Sequence, residues 1–367
     1  MNIGITPKRF FLVCNYYYPY ISGLSVVAQF LAEELTKFDV QVTVLCHQHD
    51  RNLPKIEVLN GVKIYRAKTL FRLNRATISF DFFYKFMQLR AHNDFINMHL
   101  PMPEAGLLPI KRSQKLITTY QCDVPRDSFI SKVIAFLMDI SSRISISRSN
   151  WVVFSTFDYM ESSRMHRHAS SKSVEIFPFV NFPNLAPPLL KNVRGRNFGY
   201  LGRFTSEKGS LFLIKAFQKG ASPDDRLLMA GSSKVAGDSV FEQVKIYADE
   251  DPRIVLYPDI SEEDLPGFYA SLNAFCFPSL NSFEAFGIAQ VEALLAGIPV
   301  ITSDLPGVRI PVKLTGMGQV LPVGNHQEWK TAIEQYDRKS YPEKISKEEQ
   351  QRFSREIAFK KYLELLE

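Results

Sequence analysis

The sequence is poor in cysteine: it has four, Cys14, Cys46, Cys122 and Cys276, and no two of them form a Cys-x-x-Cys pair. Thiols this few and this scattered among 367 residues have neither the density of a disulfide-stabilised secreted domain nor the ligand spacing of a structural zinc site. We therefore expect four reduced cysteines.

Long apolar runs are also missing. No uninterrupted apolar segment approaches the roughly 20 residues that cross a bilayer as a helix, and the run from Phe10 to Cys14 is too short for the core of a signal peptide. Hydrophobic residues make up 46% and charged residues 22%, which excludes a disordered tail or a fibre. We expect a soluble, cytoplasmic protein of two or three domains, because one hydrophobic core rarely organises so long a chain.

The net charge of +6 is unevenly placed. Residues 1–190 carry 22 Lys and Arg against 14 Asp and Glu, whereas residues 191–367 carry 22 against 24. The whole positive excess therefore lies in the first half. A basic half is compatible with nucleic acid, anionic lipid headgroups or a phosphorylated substrate, and charge alone does not choose between them.

Short β-branched and aromatic runs alternate with segments of helical period, which predicts βαβ units and parallel sheets. A proline-rich stretch at 177–192 interrupts the alternation. We predict an N-terminal domain at 1–182, a linker at 183–196, a second α/β domain at 197–345 and an amphipathic helix at 346–367. The predicted strands are 9–15, 40–47, 94–99, 115–120, 151–155, 197–202, 226–230, 253–257, 274–277 and 299–302, with a hairpin or edge strand at 60–65. The predicted helices are 24–38, 79–90, 128–146, 207–217, 239–248, 262–271 and 286–296.

The densest group of candidate site residues follows the strand predicted at 274–277. Glu284 stands in the loop after this strand, and Glu292 is predicted two turns into the next helix, about 12 Å further along its axis. This separation suits an extended ligand, such as a sugar joined through a diphosphate to a ribose. The start of the helix at Phe286-Gly287 offers N–H groups to phosphate oxygens.

Three further groups stand at strand ends, the edge at which α/β sheets bind their ligands. Arg203 and Lys208 follow the strand at 197–202 and could converge on one diphosphate as a bidentate fork and a point charge. Gly23 precedes a helix and could let the backbone approach a phosphate, and His99 ends the strand at 94–99.

Together these residues form a pattern that resembles the retaining GT-B glycosyltransferases of family 4. Its carriers are a Glu-x7-Glu motif within EAFGIAQVEALLAGIPVI, a Gly-Arg-x4-Lys-Gly motif, the loop that ends at Gly23 and the segment His99-Leu100-Pro101. The resemblance spans nearly the whole chain and is strongest over 198–323. It departs from the family in one place, where Ser22-Gly23 stands for two consecutive glycines.

The resemblance implies an α/β fold of the GT-B architecture: two Rossmann-like α/β/α domains that face each other across a deep cleft, with the C-terminal helix returning toward the N-terminal domain. The resemblance also implies which residues bind the donor and the acceptor. Glu284 would bind the hydroxyls of the donor sugar, Arg203 and Lys208 would neutralise the leaving diphosphate, and His99 would face the transferred sugar. The donor nucleotide sugar would be bound by Gly23, Arg203, Lys208, Gly231, Ser232, Pro258, Glu284, Ala285, Phe286, Gly287, Ile288 and Glu292, with Glu292 on the ribose. Asp123 and Arg126 would lie on the acceptor side.

The implied reaction transfers a hexose, with retention of anomeric configuration, onto a glycan or lipid-linked saccharide in surface polysaccharide biosynthesis. UDP-glucose and GDP-mannose are the leading donors. No cofactor and no catalytic metal are expected, because Arg203 and Lys208 would stand in for the metal. A nucleotide-sugar epimerase and a non-catalytic nucleotide-sugar-binding protein remain as alternatives, and nucleic acid is disfavoured because the basic residues form no recognisable binding motif.

An aromatic helix at 79–90 in the basic half is most simply explained by core packing, and a membrane-facing patch is the alternative. Its aromatic residues are Phe80, Phe82, Phe83, Tyr84 and Phe86, and the basic residues near it are Arg66, Lys68, Arg72, Arg75, Lys85 and Arg90. From the charge excess we predict peripheral contact with an anionic membrane at the inner face of the plasma membrane.

Overall fold

The computed structural model describes residues 8–20, 22–69, 71–73, 76–126, 128–180, 186–191, 194–233 and 238–367, and the side chains of all of these except 71–73 and 76–78. The chain divides into two compact units. The first consists of Met1–Phe179 and Glu356–Glu367, and the second of Val180–Arg355.

The first unit is built on a largely parallel sheet of eight strands. Its strands and those of a small hairpin are β1 (Arg9–Val13), β2 (Gln41–His47), β3 (Ile56–Leu59), β4 (Val62–Ala67), β5 (Phe71–Leu73), β6 (Ala76–Ile78), β7 (Phe95–Leu100), β8 (Lys115–Tyr120), β9 (Trp151–Phe154) and β10 (Ser173–Glu175). Its helices are α1 (Gly23–Thr36), α2 (Phe80–Arg90), α3 (Phe129–Arg148), α4 (Phe157–Ser162) and α5 (His166–Ala169). The strand order is β10-β9-β8-β7-β1-β2-β4-β3, and β5 pairs with β6 separately.

Only β3 and β4 pair antiparallel within the large sheet. They are joined by Asn60-Gly61, and both residues have positive φ, as the tightest hairpin turn requires. The structure thus confirms the hairpin that the sequence predicts there. The central strands β1 and β7 are buried along nearly their whole length, because a parallel sheet is covered on both faces.

The second unit contains a six-stranded sheet that is parallel throughout. Its strands are β11 (Asn197–Leu201), β12 (Arg226–Gly231), β13 (Ile254–Pro258), β14 (Ala274–Phe277), β15 (Val300–Ser303) and β16 (Gly318–Leu321). Its helices are α6 (Ser210–Gly220), α7 (Phe241–Glu250), α8 (Leu265–Ala270), α9 (Ile288–Leu295), α10 (Ile310–Thr315), α11 (His326–Glu334) and α12 (Lys347–Arg352). The strand order is β13-β12-β11-β14-β15-β16, with order reversal at β11 and β14.

The last helix, α13 (Arg355–Glu364), belongs to the core of the first unit. Phe359 and Tyr362 are buried in the same apolar cluster as Phe10 and Leu12 of β1. The Tyr362 hydroxyl also lies 3.4 Å from the Thr119 hydroxyl of β8. The C-terminus therefore returns to the N-terminal sheet.

The predicted helices differ from the observed ones at their ends, and three of these differences concern the C-terminus and the candidate site. The continuous helix predicted at 346–366 is wrong, because i→i+3 bonds at Phe353 and Ser354 tighten the chain and end α12 before α13 begins. The helix predicted at 207–217 is split into a 3₁₀ turn at Ser206–Lys208 and α6. The helix predicted at 286–296 begins at Ile288.

Four strands, β5, β6, β10 and β16, and several helices were not predicted. The helices include α10 and α11. The predicted linker is irregular at 186–191 and 194–196, and residues 183–185 and 192–193 lie outside the described part of the chain.

Candidate functional site

The second unit collects most of the predicted site residues at one edge of its sheet. All six strands are parallel, so their carboxyl ends share an edge. Along this edge stand Pro258 at the end of β13, Gly231 and Ser232 after β12, Arg203 and Lys208 after β11, and Glu284 after β14. The sequence motifs therefore fall on four adjacent strand ends.

Close backbone contacts hold these loops together. Gly231 has a φ of +143°, and a Cβ there would lie 1.8 Å from the Gly202 carbonyl oxygen. The Gly202 N–H in turn donates to the Ala230 carbonyl at 3.1 Å. Only glycine at position 231 lets the loops after β11 and β12 approach this closely.

The loops after β11 and β14 are joined in the same way. The Leu280 N–H donates to the Glu207 carbonyl at 2.8 Å. Gly209, the left-handed residue that separates the 3₁₀ turn from α6, lies directly against Pro278. These contacts set Lys208 beside the loop that carries Glu284.

Lys208 and Glu284 form an ion pair, although they come from motifs 76 residues apart. The Lys208 ammonium also lies 5.8 Å from the centre of the Phe277 ring. Both side chains of the pair keep a minority of their surface exposed. The structure thus brings together a cation and a carboxylate that were predicted for the diphosphate and the donor sugar.

Arg203 lies on the same loop as Lys208. Its guanidinium is 3.3 Å from the Glu207 carboxylate, and its carbonyl accepts a hydrogen bond of 2.8 Å from the Tyr200 hydroxyl. Burial of that hydroxyl raises the Tyr200 pKa far above its ordinary value, so it remains a donor. Arg203 is therefore held by its backbone, and its partly exposed side chain has an acidic neighbour in Glu207.

Glu292 stands in the second turn of α9, two residues nearer the helix start than the sequence predicts. Its carboxylate accepts a hydrogen bond of 2.7 Å from the hydroxyl of Tyr269 in α8. Burial raises the Glu292 pKa to about 7, against the opposing effect of this hydrogen bond. A carboxylate that changes charge near neutral pH is characteristic of functional sites.

Tyr269 and Gln290 were not predicted as site residues. Buried Gln290 donates from Nε2 to the carbonyls of Phe286 and Val308, and so fixes the turn that carries Ala285, Phe286 and Gly287 into α9. Gln290 lies within the recognised motif, which was the available signal. Nothing in the sequence pairs Tyr269 with Glu292, because the two are 23 residues apart on different helices.

In the first unit, His99 is buried near the end of β7. Its Nδ1 lies 3.1 Å from Gln121 Nε2, and burial lowers the His99 pKa to about 3. The ring is therefore neutral, and because an amide nitrogen only donates, Nδ1 accepts and the proton is on Nε2. Among the described residues this Nε2–H has no hydrogen-bond partner.

Asp123 is placed in a buried hydrogen-bond network. Its carboxylate accepts from the hydroxyls of Tyr120 (2.6 Å) and Ser163 (2.9 Å) and from the Arg164 N–H (3.2 Å). Arg126 instead pairs with Asp139 at 2.8 Å. Both arrangements anchor the chain after β8, and the acceptor-side role of the two residues stays a prediction.

Gly23 is the first residue of α1 and lies within the capping box that Ser22 and Ser25 form. A Cβ on Gly23 would meet no atom within 4 Å, so the fold does not require glycine there. Within the described residues, no cluster of three or more His, Cys, Asp or Glu side chains could hold a metal ion. No described helix is long and apolar enough to cross a membrane.

The aromatic helix predicted at 79–90 is α2, and it divides between core and surface. Phe82 and Phe86 are buried, with Phe86 stacked on Phe11 at 5.5 Å, whereas Phe80, Phe83 and Tyr84 are exposed. Arg66 is buried in an ion pair with Glu57 and does not belong to a surface patch. Arg75 and the side chain of Arg72 lie outside what the structure describes.

The chain is similar to known proteins both in sequence and in structure. Residues 181–355 match the family model described as "Glycosyl transferases group 1". The chain is 25% identical to D-rhamnosyltransferase WbpZ of Pseudomonas aeruginosa over 80% of this chain and 77% of that protein. It is 22% identical to O-antigen chain mannosyltransferase C of Escherichia coli over 79% of this chain and 78% of that protein.

Solved structures also match along 98% of this chain, among them the following two. Sucrose-phosphate synthase from Thermosynechococcus elongatus is 17% identical, with a TM-score of 0.75 over 98% of that chain. Anabaena Alr3699/HepE in complex with UDP is 14% identical, with a TM-score of 0.76 over 99% of that chain. At these identities the likeness shows the fold alone, and that fold is the one the sequence predicts.

Proposed function

We propose that the chain is a retaining hexosyltransferase, because residues 181–355 match the glycosyl transferases group 1 model and the chain has the GT-B fold. The donor is a nucleoside-diphosphate sugar, and the acceptor is a glycan or lipid-linked saccharide in surface polysaccharide biosynthesis. The proposal rests chiefly on the ion pair between Lys208 and Glu284, because this pair joins the two motif loops at the carboxyl-end edge of the second sheet.

The proposed roles of the site residues in the second unit follow from the charges of their side chains. As the bond between the anomeric carbon and the diphosphate oxygen breaks, negative charge grows on the phosphate, and Lys208 and Arg203 supply positive charge to it. Glu284 accepts hydrogen bonds from the sugar hydroxyls, and Glu292 accepts them from the ribose. The N–H groups at the start of α9 add donors for phosphate oxygens.

Transfer proceeds on one face of the sugar. The acceptor oxygen bonds to the anomeric carbon on the side from which the diphosphate leaves, and the acceptor proton passes to the departing phosphate oxygen. The electron pair of the broken bond stays on that phosphate. His99 is neutral and carries its proton on Nε2, which suits a hydrogen bond to a sugar hydroxyl and excludes it as a cation for the leaving group.

UDP-glucose and GDP-mannose are the proposed donors. O-antigen chain mannosyltransferase C, by its name, transfers mannose, and Alr3699/HepE was solved with UDP and with UDP-glucose. We place the reaction on the cytoplasmic side of a membrane that carries the lipid-linked acceptor. The proposed chemistry needs no metal.

A thermal-shift panel of nucleotide sugars tests this function. A ligand that binds only the folded protein raises its melting temperature, so the true donor should stand out from sugars and from nucleoside monophosphates. The shift should shrink in Lys208→Ala and persist in Lys215→Ala, an exposed lysine on α6. If no nucleoside-diphosphate sugar raises the melting temperature, the proposed function is wrong.

A further inference from the structure

The outward face of α3 is apolar along three turns. Six of its side chains are between 38% and 81% exposed: Phe129, Ile130, Val133, Phe136, Leu137 and Ile140. Their spacing of one, three or four residues puts them on one stripe of the helix. Single exposed apolar residues need no explanation, but a continuous stripe of this size marks an interaction site.

Polar contacts on the opposite, buried face of α3 fix the orientation of the helix. Inward-facing Ser141 donates to the Met102 carbonyl and accepts from the Gly106 N–H, and Asp139 accepts from Arg164. The Ser145 hydroxyl contacts the Met98 sulfur of β7. A rotation of α3 that hid the stripe would break these buried polar contacts, so the stripe is exposed because of how the helix is anchored.

Helix α2 and the segment 101–114 lie on the same side of the sheet as α3. Phe86 of α2 packs on Phe11, and Phe11 pairs in register with Ile96, which points to the same side of the sheet as Met98. Helices α2 and α3 therefore cover the same face. The segment 101–114 joins them: Arg90 of α2 donates to the Pro109 carbonyl, and Arg148 of α3 donates to the Gly106 carbonyl.

Further apolar side chains of α2 and of the joining segment are exposed beside the stripe. Leu107 is 73% exposed and Phe80 is 83% exposed. We call the outward-facing residues of α2, 101–114 and α3 the α2–α3 surface. Its exposed apolar side chains are Phe80, Phe83, Tyr84, Met87, Leu107, Phe129, Ile130, Val133, Phe136, Leu137 and Ile140.

The exposed, unpaired charged side chains of this region are basic. The three segments contain seven basic residues and three acidic ones. Of the acidic residues, Glu104 and Asp139 are buried, and Asp81 is paired with Lys85. Lys111, Arg112, Lys132 and Arg143 are exposed. Among the described residues of these three segments, every carboxylate is therefore buried or ion-paired, and the apolar residues are accompanied by positive charge.

We propose that the α2–α3 surface binds an anionic lipid bilayer, with the apolar side chains in the interfacial region and the basic side chains at the headgroups. A second copy of the chain fits less well, since a self-complementary interface would bring these like charges together. The proposal deepens the proposed function and rests on it in one respect, since a lipid-linked acceptor places the enzyme at a membrane. The proposed membrane contact is made chiefly by α3, and not by the aromatic helix α2 alone.

Vesicle co-sedimentation tests this surface without donor or acceptor. The probes are vesicles of phosphatidylcholine with phosphatidylglycerol and vesicles of phosphatidylcholine alone. The full chain should bind the anionic vesicles more tightly, and added salt should weaken binding. The double variant Phe136→Ser/Leu137→Ser should bind roughly tenfold more weakly or worse, because two large side chains no longer enter the interface. Val58→Ser, equally exposed on β3, is the matched control and should bind as the unchanged chain does.

A second variant reports contact directly. The four native cysteines are buried, so Leu137→Cys can be labelled selectively with an environment-sensitive fluorophore, and Val58→Cys serves as its control. The emission should shift to the blue only for position 137 when anionic vesicles are added. A melting temperature equal to that of the unchanged chain shows that a variant is folded.

Three results would overturn the proposal: no binding to anionic vesicles at low salt, unchanged binding of the double variant, or a stable dimer in analytical ultracentrifugation that the double variant abolishes without vesicle binding. Because no donor is present, failure here leaves the nucleotide-sugar thermal shift intact. A missing thermal shift with intact vesicle binding would instead remove the proposed chemistry.

Discussion

The carboxylate of Glu292 changes charge near neutral pH, because burial raises its pKa to about 7. In the proposed function Glu292 binds the ribose, and an ionised carboxylate accepts hydrogen bonds from hydroxyls more strongly than a protonated one does. Affinity for the donor should therefore rise by about tenfold between about pH 6 and about pH 8. Isothermal titration calorimetry with UDP-glucose and GDP-mannose across this range measures the effect.

Tyr269 provides the control for this pH dependence. Its hydrogen bond lowers the pKa of Glu292, so Tyr269→Phe should move the midpoint of the affinity profile to higher pH. Glu292→Gln should flatten the profile. A flat profile in the unchanged chain would show that Glu292 does not contact the donor.

Single residues show how far the sequence predicts this site. Lys208 and Glu284 could be placed together because each follows a strand of the same parallel sheet, and the carboxyl ends of such strands share an edge. Tyr269 could not be found in this way. It lies on a helix of the core, and only tertiary packing brings its hydroxyl to Glu292.

At the scale of elements, Gly231 fixes the distance between the loops after β11 and β12. A Cβ there would lie 1.8 Å from the Gly202 carbonyl oxygen, so Gly231→Ala must displace backbone. We expect it to lower the free energy of unfolding by about 3 kcal/mol or more, as severe steric strain does. Urea denaturation of purified variants measures the loss.

Gly324→Ala is the matched control, since Gly324 also has a positive φ (+68°) but a Cβ there meets nothing within 4 Å. It should cost only the strain of a left-handed alanine, about 1 kcal/mol. Equal losses in the two variants would mean that backbone conformation, and not the close approach of the loops, makes glycine necessary at 231.

Apolar periodicity predicts most strands and helices of both units, because a parallel sheet covered on both faces needs continuous apolar strands and amphipathic helices. Apolar periodicity does not predict the helix ends that are set by a single left-handed residue or by local hydrogen bonds. Left-handed Gly209 separates the 3₁₀ turn from α6, and i→i+3 bonds at Phe353 and Ser354 end α12. It also fails to show that α3 turns its apolar stripe outward, since periodicity does not say which face meets the sheet.

At the scale of the whole molecule, the proposed chemistry rests on protein cations in place of a metal. Lys208 and Arg203 both follow β11, and in the proposed reaction they would supply the positive charge for the leaving diphosphate. Transfer activity should therefore be unchanged by EDTA. Loss of activity with EDTA, restored by magnesium or manganese, would contradict this part of the proposal.

The two-unit α/β organisation could be read from the alternation of strands and helices on either side of a proline-rich stretch. The charge asymmetry predicts that the first unit faces a membrane, and the surface that the sequence offers for this contact is the aromatic helix at 79–90 and not α3. Arg66, one of the basic residues near the aromatic helix, is buried against Glu57, whereas Lys132 and Arg143 of α3 are exposed. Only the structure distinguishes internal ion pairs from surface charge.

The most direct test of the central claim is the consumption of a nucleoside-diphosphate sugar by the purified chain without acceptor, followed by release of the nucleotide. We expect slow hydrolysis of UDP-glucose or GDP-mannose, reduced at least about a hundredfold in Lys208→Ala and in Glu284→Ala and unchanged in Lys215→Ala. Hydrolysis that persists in both site variants would contradict the assignment of the reaction to this pair of loops.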